Sequence, residues 1–182
     1  MTSEQFHRPD LGGFENKIVS YSHAIGIIKE TRTRGLSVTL AQGVFDLVHV
    51  GHLEYLRRAK LTGDLLFVGV ENDLCVQKNK GNGRPFNSLD TRLEFLSQLQ
   101  SPDFVFGFDN SPLYSDLESR EIFIRRYREL NPNLIAVTTN FDSNIDLKKK
   151  QAEEAGVELH QINIDGTTNS STTRLLRVLG FE

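Results

Sequence analysis

Apolar residues along this chain switch repeatedly between two periods. From Ile18 to Arg34 the positions Ile18, Tyr21, Ala24, Ile25 and Ile28 recur at helical spacing, and Gly35 follows as a stop. Leu36 to Ala41 then reads as a buried strand. A helix over Gly51 to Leu61 carries Leu53, Leu56 and Ala59 inward, and Leu65 to Val70 is a continuous apolar strand. Ser88 opens a helix with Leu89, Leu93, Leu96 and Leu99 along one side. Phe104 to Phe108 is a strand, Leu117 to Leu130 a helix, and Leu134 to Val137 a further parallel candidate. The helix over Ile145 to Ala155 stops at Gly156, Val157 to Ile164 is a strand, and Ser171 to Leu179 closes the chain as a short helix. Strands that alternate with helices and are apolar on both faces predict an α/β fold with a mostly parallel sheet covered on both sides. Such sheets bind ligands at the carboxyl ends of their strands, where strand order reverses.

At 182 residues the chain is long enough for one domain with a real core, preceded by a polar, Gly- and Pro-containing arm over residues 1–15. A net charge of −3 argues against a broad nucleic-acid or anionic-membrane surface, so any anion site has to be local. No run approaches the roughly 20 apolar residues a membrane span requires, and the start is not a secretory signal. The single Cys75 excludes an internal disulfide and a multi-cysteine zinc site; it reads as a small core residue in a reducing, cytoplasmic setting.

Three segments carry candidate chemistry. The first is the string Gly43-Val44-Phe45-Asp46-Leu47-Val48-His49-Val50-Gly51-His52, at the end of the first strand and the start of a helix. Its two histidines lie three apart on one helical face, and Gly51 leaves room for a ligand between them. A helix N-terminus already favours phosphate, and two imidazoles add donors there. Taken alone, the pair is equally compatible with helix-capping or solvated histidines, and less so with zinc, for which no third ligand is apparent. The second segment is Ser170-Ser171-Thr172-Thr173-Arg174, either caps of the last helix or donors for β- and γ-phosphates. The third is Lys78-Asn79-Lys80-Gly81-Asn82-Gly83-Arg84-Pro85, either a solvated connection or a basic loop closing over anions, with Arg92 pointing to the same edge.

Together these segments resemble the H-x-G-H nucleotidyltransferases, the cytidylyltransferase-like family, from about Lys17 onward. The likeness runs through Gly43-Val44-Phe45-Asp46, His49-Val50-Gly51-His52, Lys80-Gly81-Asn82-Gly83-Arg84-Pro85, Arg92 and Ser171-Thr172-Thr173. It is strongest to the adenylyltransferase domain of bacterial ADP-heptose synthesis, with glycerol-3-phosphate cytidylyltransferase a near neighbour. The resemblance implies a Rossmann-like three-layer fold in a nucleotidyltransferase domain over residues 16–182. It implies transfer of a nucleoside monophosphate, AMP from ATP, to a sugar phosphate such as a heptose 1-phosphate, with release of pyrophosphate. Mg²⁺ would accompany the nucleoside triphosphate, with no metal site of the protein's own, and family members usually pair as homodimers.

Carried over residue by residue, His49, His52, Lys80 and Arg92 are expected to be catalytic. Gly43, Val44, Phe45, Gly51, His52, Thr138, Ser171, Thr172 and Thr173 are expected to bind nucleotide, and Asp46, Lys78, Lys80 and Arg84 the acceptor. Two departures bear on substrate. Thr138-Thr139-Asn140-Phe141-Asp142 stands where heptose enzymes carry a K-G-G-D-Y-like segment, and Gly166-Thr167-Thr168-Asn169 lacks the arginine that cytidylyltransferases place before S-T-T. The alternatives are a cytidylyltransferase for a polyol or amino-alcohol phosphate, and a nucleotide-binding module without catalysis.

Overall fold

The computed structural model describes residues 17–114, 117–139, 142 and 144–164. Within them the elements run α1 (Tyr21–Thr33), β1 (Val38–Gly43), α2 (Val50–Lys60), β2 (Leu65–Val70), α3 (Asp73–Lys80), α4 (Leu89–Ser97), β3 (Phe104–Gly107), α5 (Leu117–Leu130), β4 (Leu134–Thr138), α6 (Ile145–Ala155) and β5 (Glu158–Ile162). The N-terminal arm and the Ser171 to Leu179 helix lie outside the described residues.

All five strands are parallel, in the order β3-β2-β1-β4-β5, a Rossmann-like arrangement. The chain builds outward from β1 through β2 to β3, then crosses back to β4 on the other side of β1. Strand order therefore reverses between β1 and β4, and a crevice opens at their carboxyl ends. Each face buries its own apolar cluster. Ala41, Leu66, Val68 and Val105 pack with Leu56 and Ala59 of α2 and Leu93 and Leu96 of α4. On the opposite face Leu40, Phe67, Phe106 and Val137 pack with Ile28 of α1, Tyr127 and Leu130 of α5, and Ala152 of α6. The sheet is thus the middle of three layers, and its interior residues show the two-faced burial the apolar runs predict.

Three local expectations change. Ile18 does not open a helix: it forms a parallel bridge with Val105, and Ser20 caps α1 by accepting from the His23 amide. Leu53 is 43% exposed, because the buried stripe of α2 centres on Tyr55 and Ala59 and Leu53 falls about a third of a turn away. The stretch before Gly81 is helical rather than loop, since Asn72 caps α3 through the Cys75 amide and Gly81 ends it at φ 87°.

Candidate active site

His49 is the N-cap of α2, with extended backbone, and its Nδ1 accepts the Gly51 amide at 3.2 Å. Three residues on, His52 Nδ1 accepts the His49 amide at 3.3 Å. The His49 ring closes onto the first turn and the His52 ring onto the His49 amide, a reciprocal cap built from imidazoles where most proteins use Ser and Glu. An Nδ1 that accepts has no proton, so both rings carry their proton on Nε2. The ring centroids are 4.0 Å apart. Burial, His49 and the nearby Lys80 ammonium push the His52 pKa down to about 3, and burial also lowers that of His49. At neutral pH the first turn of α2 therefore presents two neutral N–H donors at the positive end of its dipole.

The turn before this helix is held from below. Phe45 takes a positive φ of 53°, and its buried ring lies 5.3 Å from the His52 ring. A Cβ on Gly43 would come within 3.0 Å of that ring, so the glycine lets the turn fold back on itself. Beneath it Asp46 accepts from Arg84 Nε at 2.9 Å, and from the amides of Phe86 and Asn87 at 2.9 Å each. Arg92, 1% exposed, donates to the carbonyls of Val44 (2.6 Å), Glu71 (2.8 Å) and Asn87 (3.0 Å) and to Asp73 (2.6 Å). The guanidinium thus ties the carboxyl ends of β1 and β2 together, engaging carbonyl oxygens that would otherwise repel an anion.

Above this frame lies a cavity of about 590 Å³. One side is formed by Gly43, Val44, Phe45, His49, Gly51, His52 and Tyr55, with Lys80 at the edge. Burial, and the cations of Arg84 and Arg92, lower the Lys80 pKa. The other side carries Gln42, Glu71, Tyr114 and Phe123, continuing to Val137, Thr138, Asp142, Asn144 and Lys148. Glu71 is paired bidentately with the fully buried Arg126, at 2.8 and 3.1 Å. Lys148 is paired with Asp142.

The structure thus gathers Gly43, Val44, Phe45, His49, Gly51, His52, Lys80 and Thr138 around one cavity. Four expected residues stand elsewhere. Asp46 and Arg92 are consumed by the frame under the cavity, and Arg84 pairs with Asp46 and lies 4.8 Å over the Phe86 ring. Lys78 is exposed and turns toward the Ser111 carbonyl. Ser171, Thr172 and Thr173 lie outside the described residues. Of the lining residues that motif reading missed, Glu71 had a signal, since it follows β2 as the G-x-F-D turn follows β1. Gln42 had a weaker one, as a polar residue near the end of a buried strand. Lys148 had none, being one of three consecutive lysines on α6.

A cytidylyltransferase-like family model matches residues 40–177. The bifunctional protein HldE of Wolinella succinogenes is 36% identical over 119 residues, covering 65% of this chain and 25% of that protein. HldE of Shewanella amazonensis is 41% identical over 91 residues, covering 50% of this chain and 19% of its own length. The chain therefore spans about a quarter or less of these relatives. A solved structure, the lipopolysaccharide core biosynthesis protein from Thermoplasma volcanium GSS1, superposes with a TM-score of 0.54 at 24% identity, over 72% of this chain and 98% of that one. At that identity it supports the fold alone.

Proposed function

The chain belongs to the cytidylyltransferase-like family, and is by that membership a nucleotidyltransferase; we propose that it moves AMP from ATP to a sugar phosphate, of which a heptose 1-phosphate is an example, releasing pyrophosphate. The observation that carries this reading is the pair of neutral Nε2–H donors locked by reciprocal caps at a helix N-terminus, facing a cavity at the strand-order reversal. The resemblance to the adenylyltransferase domain of ADP-heptose synthesis, and the similarity to HldE, favour AMP and a sugar phosphate.

In this reaction an acceptor phosphate oxygen forms a bond to the α-phosphorus as the bond from that phosphorus to the pyrophosphate oxygen breaks. The nucleophile is already anionic, so no general base is needed, and catalysis rests on alignment and on stabilising growing negative charge. His49 and His52 donate to the transferring and departing phosphates, with the α2 amides and dipole behind them. Lys80 adds a positive charge at the cavity edge. Thr138, at the carboxyl end of β4, is assigned to the nucleotide, and Ser171, Thr172 and Thr173 to its outer phosphates. Three carboxylates near the cavity are engaged, Glu71 by Arg126, Asp46 by Arg84 and Asp142 by Lys148. Mg²⁺ would therefore be held by phosphate oxygens and water, where it screens the triphosphate charge.

Pyrophosphate release, measured for four nucleoside triphosphates crossed with a panel of sugar and polyol phosphates, tests the proposal. It expects activity with ATP and a sugar phosphate. Preference for CTP with glycerol 3-phosphate would replace the substrates, and nucleotide binding without release across the whole panel would overturn transfer itself.

A further inference from the structure

Gln42, the penultimate residue of β1, lines the same cavity as the histidines. Its Nε2 donates to the Tyr127 hydroxyl at 2.6 Å, and Tyr127, on α5, is wholly buried in the core. That anchor fixes the amide, and it leaves Oε1 buried with no hydrogen-bond partner among the described residues. A buried acceptor left unmade is a standing cost, and such atoms call for a specific explanation. Here the atom belongs to a residue that lines an open cavity.

The neighbouring chemistry narrows what that donor is. Glu71 presents a second acceptor on the same cavity, but its charge is balanced by Arg126, whose other hydrogen bonds go to the Asn110 side chain and carbonyl. The wall therefore offers hydrogen-bond acceptors without net negative charge. Between Oε1 and Glu71 a phosphate would meet two acceptors and is disfavoured. An ammonium would find its counter-charge already taken. An alkyl group would leave Oε1 unpartnered. Neutral hydroxyls satisfy all three conditions.

Resting on the nucleotidyl-transfer reading, we propose that Gln42 is a specificity-determining residue. Its Oε1 accepts a hydrogen bond from a hydroxyl of a polyhydroxylated phosphate acceptor, and Tyr127 is the positioning residue that aims it. The phosphate end of the acceptor then lies toward His49, His52 and Lys80, and its hydroxylated body toward Gln42 and Glu71.

The test separates binding from turnover. Wild type, Gln42→Leu and Tyr127→Phe are titrated calorimetrically with a set of sugar 1-phosphates, with glycerol 3-phosphate and with phosphoethanolamine. Steady-state pyrophosphate release is then measured with ATP. Gln42→Leu should weaken the hydroxylated phosphates roughly five- to tenfold, the loss of one neutral hydrogen bond. Its acceptor KM should rise in step, with the ATP KM and kcat within twofold. Tyr127→Phe should show the same pattern at about threefold. Equal affinity in folded wild type and Gln42→Leu, a shift confined to the ATP KM, or a wild type that prefers phosphoethanolamine would each overturn the proposal. Gln42-dependent sugar-phosphate binding without any pyrophosphate release would sink the transfer reading and leave this one standing.

Discussion

Two segments of this chain look alike in sequence and do opposite things in the structure. Gly43 to His52 and Lys78 to Arg92 are both glycine-punctuated, and both carry residues suited to holding anions. The first turns its donors outward, because His49 and His52 spend their acceptor nitrogens on α2 and keep their N–H groups for the cavity. The second turns two of its four cations, Arg84 and Arg92, inward, because Asp46, Val44 and Glu71 supply acceptors for them. A basic residue beside an anion site can serve that site by binding the protein. Which role applies depends on whether an acceptor of the scaffold lies within reach.

The largest expected effect tests the inward segment. Arg92→Ala leaves two carbonyls at the ends of β1 and β2 without their charged donor and should cost about 3 kcal/mol in a urea unfolding experiment. A variant that kept its midpoint yet lost activity would return Arg92 to the phosphates. For the outward segment, His52→Ala should lower kcat roughly 10²-fold, the size seen for one transition-state donor, with only about 1 kcal/mol of stability lost through the cap. Near-normal kcat in that folded variant would remove His52 from the chemistry.

A pH series sharpens the same contrast. The folded chain holds the His52 pKa down at about 3, below the ordinary imidazole value of 6.5, so the unfolded chain takes up a proton that the folded chain refuses. Stability is therefore unaffected by this group above pH 6.5 and falls as pH drops toward 3. Between pH 6.5 and 5 the loss should be about 1.5 kcal/mol and should vanish in His52→Ala. Identical pH slopes for the two proteins would show that the imidazole is not held neutral. The smallest effect separates two lysines two residues apart. Lys80→Met should reduce kcat/KM about tenfold, and Lys78→Met should stay within twofold, because only Lys80 lines the cavity.

The sheet was legible in the sequence because buried parallel strands leave apolar runs that few other arrangements produce. Leu65 to Val70 was bounded to the residue, and the helix closed by Gly156 ended as read. The G-x-F-D turn and the two histidines were legible for a related reason, since a tight turn with a close approach demands glycine at fixed positions. Arg92 and Asp46 were placed at the right edge, but their bonds to the scaffold were not legible. Sequence shows a charge but not whether a backbone carbonyl lies within 3 Å of it. Gln42, Tyr127 and the Glu71–Arg126 pair join residues 55 to 85 positions apart, and only the folded topology brings them together.

The reciprocal caps on α2 give proton traffic at this site a direction. An imidazole there can take up a second proton only at Nδ1, the nitrogen already receiving a backbone amide. Protonation would release the cap and place a cation at the positive end of the helix. The first turn of α2 thus behaves as a ratchet against acid–base chemistry. It offers hydrogens, withholds lone pairs, and makes unwinding the condition for any histidine that tries to act as a base.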